Sequence, residues 1–281
     1  MESSSSDTIG LPPLRMEAVA DLLVRFIRDG VRSSGFERAV VGLSGGVDSA
    51  VVASVAARAL GPENVLGVLM PHRQSSASST ADAKTVVDAL GIKSETVDIS
   101  AIVDGFVAAA AEPDRVRLGN VMARARMIVL YDRSARDGSL VLGTSNKTEL
   151  LLGYGTLHGD LASALNPIGD LYKTYLWQLA EHLGVPQLIV RKAPTADLWE
   201  GQTDEQELGF SYREADRLLY QMVDERRTDE ELTASGFDAA FIAKVRERIR
   251  SNQFKRRPPV IAKLSQRTVN VDFRYARDWG L

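Results

Sequence analysis

The hexapeptide Ser44-Gly45-Gly46-Val47-Asp48-Ser49 joins an apolar run, Ala39 to Leu43, to a helical pattern that continues to Leu60. Two adjacent glycines at such a junction accept positive φ and let backbone N–H groups approach an anion with no Cβ in the way. The helix that follows aims its unpaired N–H groups and partial positive charge at the same point. Gly42 and Leu43 lead into the bend, and Ser44 and Ser49 add hydroxyl donors. The chemistry this set suits is the holding of phosphate. Asp48 fits beside phosphate when a divalent cation such as Mg²⁺ stands between them. The alternative reading is a tight strand-to-helix turn with Asp48 as a helix-start acid. The bend is not a Walker loop, since the Gly-Lys-Ser/Thr ending is missing, nor is it a dinucleotide fingerprint.

The elements around the bend alternate. Ala39 to Leu43, Ser49 to Leu60, Val65 to Met70, Thr80 to Leu90 and Glu95 to Ile99 read as strand, helix, strand, helix, strand. That order predicts parallel pairing with right-handed crossovers, an α/β doubly wound, mostly parallel sheet with helices on both faces. A helix over Asn120 to Arg136 leads to a fourth strand, Leu140 to Thr144, and Tyr172 to Leu183 is a further helix stopped by Gly184 and Pro186. Before the first strand, Val19, Leu22, Leu23, Phe26 and Ile27 form an amphipathic stripe from Arg15 to about Ser33, and helix dominates the C-terminal third. The stretch Lys192 to Gly209 has no period and reads as a long loop of the kind that is usually functional or disordered. The serine-rich start predicts a disordered tail over residues 1–13, and the absence of repeats or a long linker predicts one domain over 14–281.

Composition narrows the chemistry. Thirty-four basic against 37 acidic residues give a net charge of -3, which offers no general attraction for nucleic acid. No apolar run is long enough to cross a bilayer and the start lacks an apolar signal core, so a cytoplasmic protein is expected. There is no cysteine, which removes disulfides, thiolate metal sites and a thiol nucleophile. Three histidines without thiols make no transition-metal constellation. Trp177, Trp199 and Trp279 read as packing or interface residues.

The hexapeptide resembles the pyrophosphate-binding loop of the N-type ATP pyrophosphatases, a superfamily with an adenine nucleotide alpha hydrolase, Rossmann-like fold. The likeness implies cleavage of ATP between its α- and β-phosphates. Further stretches resemble the NAD synthetases within that superfamily: Arg117 to Met127, Leu142 to Glu149, Asn166 to Thr174, Pro194 to Trp199 with Gln202 to Glu205, and Lys255 to Pro259. The resemblance implies ATP contacts from Gly42 to Ser49 and from Thr144, Lys173 and Thr195, with Asp48 and Lys173 catalytic. It further implies Mg²⁺ on Asp48 and Glu149, and deamido-NAD contacts from Asn120, Arg124, Glu149, Lys255 and Arg256.

Residue chemistry alone leaves alternatives open for each. Thr144 reads as a nucleotide-facing hydroxyl at a strand end or as an ordinary β-branched strand residue. Glu149 reads as a metal ligand or as a first-turn helix acid. Lys173 reads as a charge on the leaving pyrophosphate or as an exposed lysine, and Thr195 as a phosphate-touching hydroxyl or a turn residue after Pro194. Asn120, Arg124 and Arg126 share one helix whose guanidinium groups suit phosphates or simply a solvated face. The run Lys255-Arg256-Arg257 closes over the second substrate or is exposed surface.

One stretch departs from the family pattern. Where many ammonia-dependent NAD synthetases carry a Lys-Tyr-Gly-Asp-Gly-Gly stretch and a following acid, this chain has Leu157 at the lysine's place and Ala164 near the acid's, within Tyr154 to Ala164. The stretch is closer to the synthetase portion of glutamine-dependent enzymes. Without a cysteine the chain has no route to glutamine hydrolysis, so ammonia arrives from solution or from a separate glutaminase subunit. A homodimer is expected from the resemblance, with the C-terminal helices as candidate interface. Two rivals stand beside an amidation of deamido-NAD: adenylation of a different carboxylate or amide acceptor, and a non-catalytic nucleotide-binding sensor.

Overall fold

The computed structural model describes residues 10–110, 113–195 and 203–269. Residues 1–9 of the expected tail, together with Trp199, Gln202 and Trp279, lie outside them.

Four short strands form one parallel sheet. They are β1 (Arg38–Gly42), β2 (Val65–Leu69), β3 (Lys93–Thr96) and β4 (Ser139–Leu142), in the order β3-β2-β1-β4. Alternation along each strand divides the core in two, because successive side chains point to opposite faces. Val40, Val68 and Val141 face one way and pack with Ile99, Val103, Met122, Ala125 and Val129. These last belong to or adjoin α4 (Ser100–Ala109) and α5 (Arg115–Asp137). Ala39, Val41, Leu69 and Leu142 face the other way, toward α1 (Met16–Arg32), α2 (Val47–Leu60) and α7 (Lys173–Leu183). Helix α2 is buried on nearly all sides, since it lies between the sheet and two other helices. Each of its fully buried valines contributes roughly 1.5–3 kcal/mol of burial free energy.

Register fixes the functional edge. Val41 of β1 pairs with Leu142 of β4, so the two strands end level and their following loops, 43–46 and 143–146, lie side by side. Sequence order reverses at this pair, because β1 continues to β2 on one side and β4 enters on the other. Between α5 and α7 come α6 (Lys147–Leu152) and the irregular stretch 153–172. The chain then adds α8 (Gln187–Val190), α9 (Asp204–Leu208), α10 (Tyr212–Leu219), one π-helical turn (Tyr220–Asp224), α11 (Asp229–Ala234) and α12 (Ala239–Ser251). Helix α3 (Ala77–Leu90) crosses from β2 to β3.

The structure shifts several expected boundaries. Leu11 is buried and the Pro12 carbonyl accepts from the Tyr175 hydroxyl, so ordered packing begins inside the stretch expected to be tail. β3 ends at Thr96, before Val97 and Ile99, whose apolar side chains pack under α4 and α5 rather than extending the ladder. Helix α4 was not expected. β4 ends at Leu142, so Thr144 stands on the following loop. The long loop from Lys192 is interrupted by α9.

Candidate active site

A cleft of about 590 Å³ opens where β1 and β4 end. Open α/β sheets bind ligands at such reversals of strand order. Its floor is made by the bend after β1. Ser49 Oγ donates to the Gly46 carbonyl (3.0 Å) and accepts from the Ser44 N–H (3.3 Å), which curls the bend into a closed turn. Gly45 has φ +77°, and a Cβ there would meet the Ser79 carbonyl oxygen of α3 at 2.3 Å. No other residue fits that close approach. Gly46 is the N-cap of α2 and supplies no capping side chain, so the first-turn N–H groups are left for an anion.

Asp48 is held from the neighbouring loop. Asn146 caps α6 by accepting the Glu149 N–H on its Oδ1 (3.0 Å), and its Nδ2 donates to Asp48 Oδ1 (2.8 Å). Glu149 completes the capping box by accepting the Asn146 N–H (3.3 Å). Lys173, the first residue of α7, reaches the same place. Its ammonium is 2% exposed, bonds Asp48 Oδ2 and stands 3.4 Å from Glu149 Oε1. Asp48, Glu149 and Lys173 thus converge from three elements although 125 residues separate the first from the last.

The electrostatics of this group are asymmetric. Burial pushes the Glu149 carboxyl above its ordinary range, and repulsion from Asp48 pushes it further. Burial works against the Lys173 charge, but Asp48 and Glu149 outweigh it and hold the ammonium above its ordinary pKa. Asp204, at the start of α9, is also raised, chiefly by burial, and accepts from the hydroxyls of Tyr154 (3.0 Å) and Tyr212 (3.1 Å). Acids exceed cations on this floor. Among the described residues no cluster of three or more His, Cys, Asp or Glu is arranged to hold a metal. Two carboxylates short of positive charge fit Mg²⁺, which takes one or two carboxylates and completes its shell with water and phosphate.

The other wall is built from α5 and the stretch 153–160. Asn120 Oδ1 accepts from Thr156 Oγ1 (2.8 Å), and the Thr156 N–H donates to Asp160 Oδ1 (2.7 Å). Lys255 reaches in from beyond α12 and donates to the carbonyls of Gly153 (2.8 Å) and Gly155 (2.9 Å). Burial lowers the pKa of Lys255 while Asp160 opposes the shift. Thr144 and Thr195 also line the cleft.

Two residues expected at the second substrate do not line the cleft in this chain. Arg124 is exposed outside the cleft and donates to the Leu157 carbonyl (3.2 Å). Arg256 spends its guanidinium on the carbonyls of Leu150, Leu151 and Ile249, closing the end of α6 instead of facing a ligand. Arg126, named with Asn120 and Arg124 on the sequence, lies on the cleft wall. Lys192, Tyr154 and Asp204 line it too, though sequence reasoning gave none of them a role. Asp204 fell within the motif Gln202 to Glu205, but its stretch has no period to show which way it faces.

Strand order, bend and cleft together define an α/β protein whose cleft opens at the sheet's reversal point, where such sheets bind nucleotides. The family described as NAD synthase matches residues 19–259. An NH3-dependent NAD+ synthetase from Chlorobium phaeobacteroides (strain BS1) is 58% identical over 266 residues, covering 95% of this chain and 96% of that one. Among solved structures, the NH3-dependent NAD synthetase from Campylobacter jejuni, in complex with the nitrate ion, superposes with TM-score 0.77 at 37% identity, over 89% of this chain and 100% of that one. The NMN synthetase from Francisella tularensis gives TM-score 0.80 at 30% identity, over 89% and 99%. The chain belongs to the NAD synthase family.

Proposed function

We propose that this protein converts deamido-NAD to NAD with ATP and ammonia, through an acyl-adenylate. A carboxylate oxygen of deamido-NAD attacks the α-phosphorus of ATP, the bond to the β-phosphate oxygen breaks, and pyrophosphate leaves. Ammonia then attacks the acyl carbon, AMP departs with the bonding pair, and the nitrogen loses a proton. The observation that carries the reading is the buried Lys173 ammonium beside Asp48 and Glu149 at the mouth of the glycine bend. There it stabilises the negative charge that grows on the leaving pyrophosphate. The bend's N–H groups hold the outer phosphates, while Thr144 and Thr195 face the nucleotide. Asp48 and Glu149 would hold Mg²⁺, which supplies charge neutralisation of the phosphate oxygens when bound. On the opposite wall Asn120 and Lys255 face the second substrate. Incubation with deamido-NAD, MgATP and ammonium is expected to yield NAD, AMP and pyrophosphate; ADP in place of AMP would overturn the mechanism.

A second acceptor has support from the likeness to the Francisella NMN synthetase and from Leu157 and Ala164. A panel that includes the acid precursor of NMN, scored by pyrophosphate release, separates the two. Tight ATP binding with no pyrophosphate release on any acid would point to the sensor. The ammonia source is proposed to be solution or a separate glutaminase, because the chain has no cysteine.

A homodimer is supported by Ile102 and Phe106 on α4 and Ile128 and Tyr131 on α5, all exposed large apolar residues. Such groupings mark association surfaces. Arg124 falls on the same face of α5, four and seven residues before Ile128 and Tyr131. This surface replaces the C-terminal helices as candidate interface. A monomer by sedimentation would sink the proposal.

A further inference from the structure

Lys173 and Glu149 sit on the first turns of two different helices, and something outside both must fix one turn against the other. Helix α7 begins at Lys173 with Tyr172 as its N-cap, whose side chain makes no capping hydrogen bond. First-turn N–H groups lack intrahelical partners and need acceptors when buried. The Lys173 N–H donates to Thr148 Oγ1 of α6 (3.0 Å), and the Thr174 N–H donates to Asp216 Oδ2 of α10 (2.8 Å). Thr148 Oγ1 in turn donates to Asp216 Oδ1. One carboxylate therefore joins the starts of α6 and α7, and both Asp216 and Thr148 have no exposed surface. Tyr212 lies four residues earlier on the same face of α10, with its ring 5.1 Å from Lys173 Nζ. A buried carboxylate bonded by neutral donors is costly, and an apolar residue of similar volume would fill the space at less cost. Its cost is offset where geometry matters.

We propose that Asp216 is a positioning residue for adenylation: by bonding Thr148 and the Thr174 backbone it locks the first turns of α6 and α7 together, holding Lys173 Nζ between Asp48 and Glu149. The inference rests on the proposed function and adds a residue that touches no substrate. Its effect runs through the placement of Lys173 against Asp48 and Glu149.

The test is a double-mutant cycle read as pyrophosphate release, with thermal unfolding followed in parallel. Asp216→Asn keeps the shape but sets an amide donor against one of its two donors, while Thr148→Val removes the linking hydroxyl. Each is expected to lower kcat about 30- to 100-fold, the scale of an ångström of misplacement. The KM for deamido-NAD stays within about twofold, and Thr148→Ser recovers kcat to within about fivefold of wild type. In the Lys173→Met background, Asp216→Asn should cost less than about threefold more, because the lysine it positions is gone. Losses that multiply in full would overturn the proposal, as would an unchanged kcat in folded Asp216→Asn. If that variant does not fold, Thr148→Val takes its place in the cycle under the same criteria. The cycle runs on whichever acid of the panel drives wild-type release, so a wrong acceptor and a wrong role for Asp216 give different results. No release with any acid overturns both.

Discussion

The two walls of the cleft are built by different means. The phosphate wall draws Asp48, Asn146, Glu149 and Lys173 from three helix starts; sheet register sets Asp48 against Asn146 and Glu149, and side-chain bonds to the start of α7 set Lys173. The acceptor wall draws Asn120 from α5, Thr156 and Asp160 from irregular chain and Lys255 from the short 3-10 turn Gln253–Arg256, tied by side-chain bonds to one another and to the backbone. On the proposed function, the first arrangement suits the ligand part that is the same for every acceptor, the triphosphate. The second can be re-shaped by substitutions in the stretch 153–160 without disturbing the first. If the proposed roles hold, chemistry is held on the framework and specificity on the loops.

The hardest blow to this contrast comes from Lys173→Met. Removing the charge that meets the leaving group is expected to lower kcat by about 10²–10³-fold with the KM for deamido-NAD little changed, by steady-state pyrophosphate release. A similar loss expressed only in that KM would erase the division between walls. Gly45→Ala strains the bend at φ +77° and sets a Cβ against the Ser79 carbonyl. It is expected to destabilise the fold by about 2–3 kcal/mol in chemical denaturation and to raise the KM for ATP, not for the acid.

Lys255→Ala and Arg256→Ala sharpen the second wall. The first should raise the KM for deamido-NAD about tenfold, or about 1.4 kcal/mol, with kcat retained. The neighbouring change should leave that KM alone and lower stability by about 1 kcal/mol, because it leaves the last carbonyls of α6 without their donor. Equal KM effects from the two would restore Arg256 to the ligand.

The smallest effect is in pH and magnesium. The Glu149 carboxyl is raised above its ordinary value of 4.5, so the folded state binds its proton more tightly than the unfolded chain does. Its contribution to stability is full below about pH 4.5 and declines as pH rises through the folded value. Mg²⁺ takes the ionised carboxylate. The stabilisation by MgATP over ATP alone, read from the rise in Tm, should therefore be larger near about pH 8.5 than near about pH 6, by about 1 kcal/mol or less. An opposite trend would remove Glu149 from the metal site.

The phosphate wall was the more legible half in sequence, and the reason is contiguity. Ser44 to Ser49 is one unbroken bend between two strongly patterned elements, so its place at a strand end followed from periodicity. Arg124 and Arg256 were less legible because a helix or a charged run shows that an arginine is present but not which way it faces; in this chain one lies at the surface and the other bonds the end of α6. Asp216 was invisible for a related reason. An acid on an amphipathic helix reads as its wet side, and only the packing of α10 against α6 and α7 turns it inward. The end of β3 was misjudged because Val97 and Ile99 are apolar for the sake of α4 and α5, not for the ladder.

Asn146 performs two tasks with the two ends of one amide: oxygen to its own helix, nitrogen to Asp48. At most helix starts Asn, Asp, Ser and Thr are near-equivalents. Here that interchangeability vanishes, since aspartate would bring a lone pair where a donor is required and serine is too short to span both directions. Drift at this position is thus confined to one amino acid, a constraint imposed by the neighbour it steadies and not by the helix it begins.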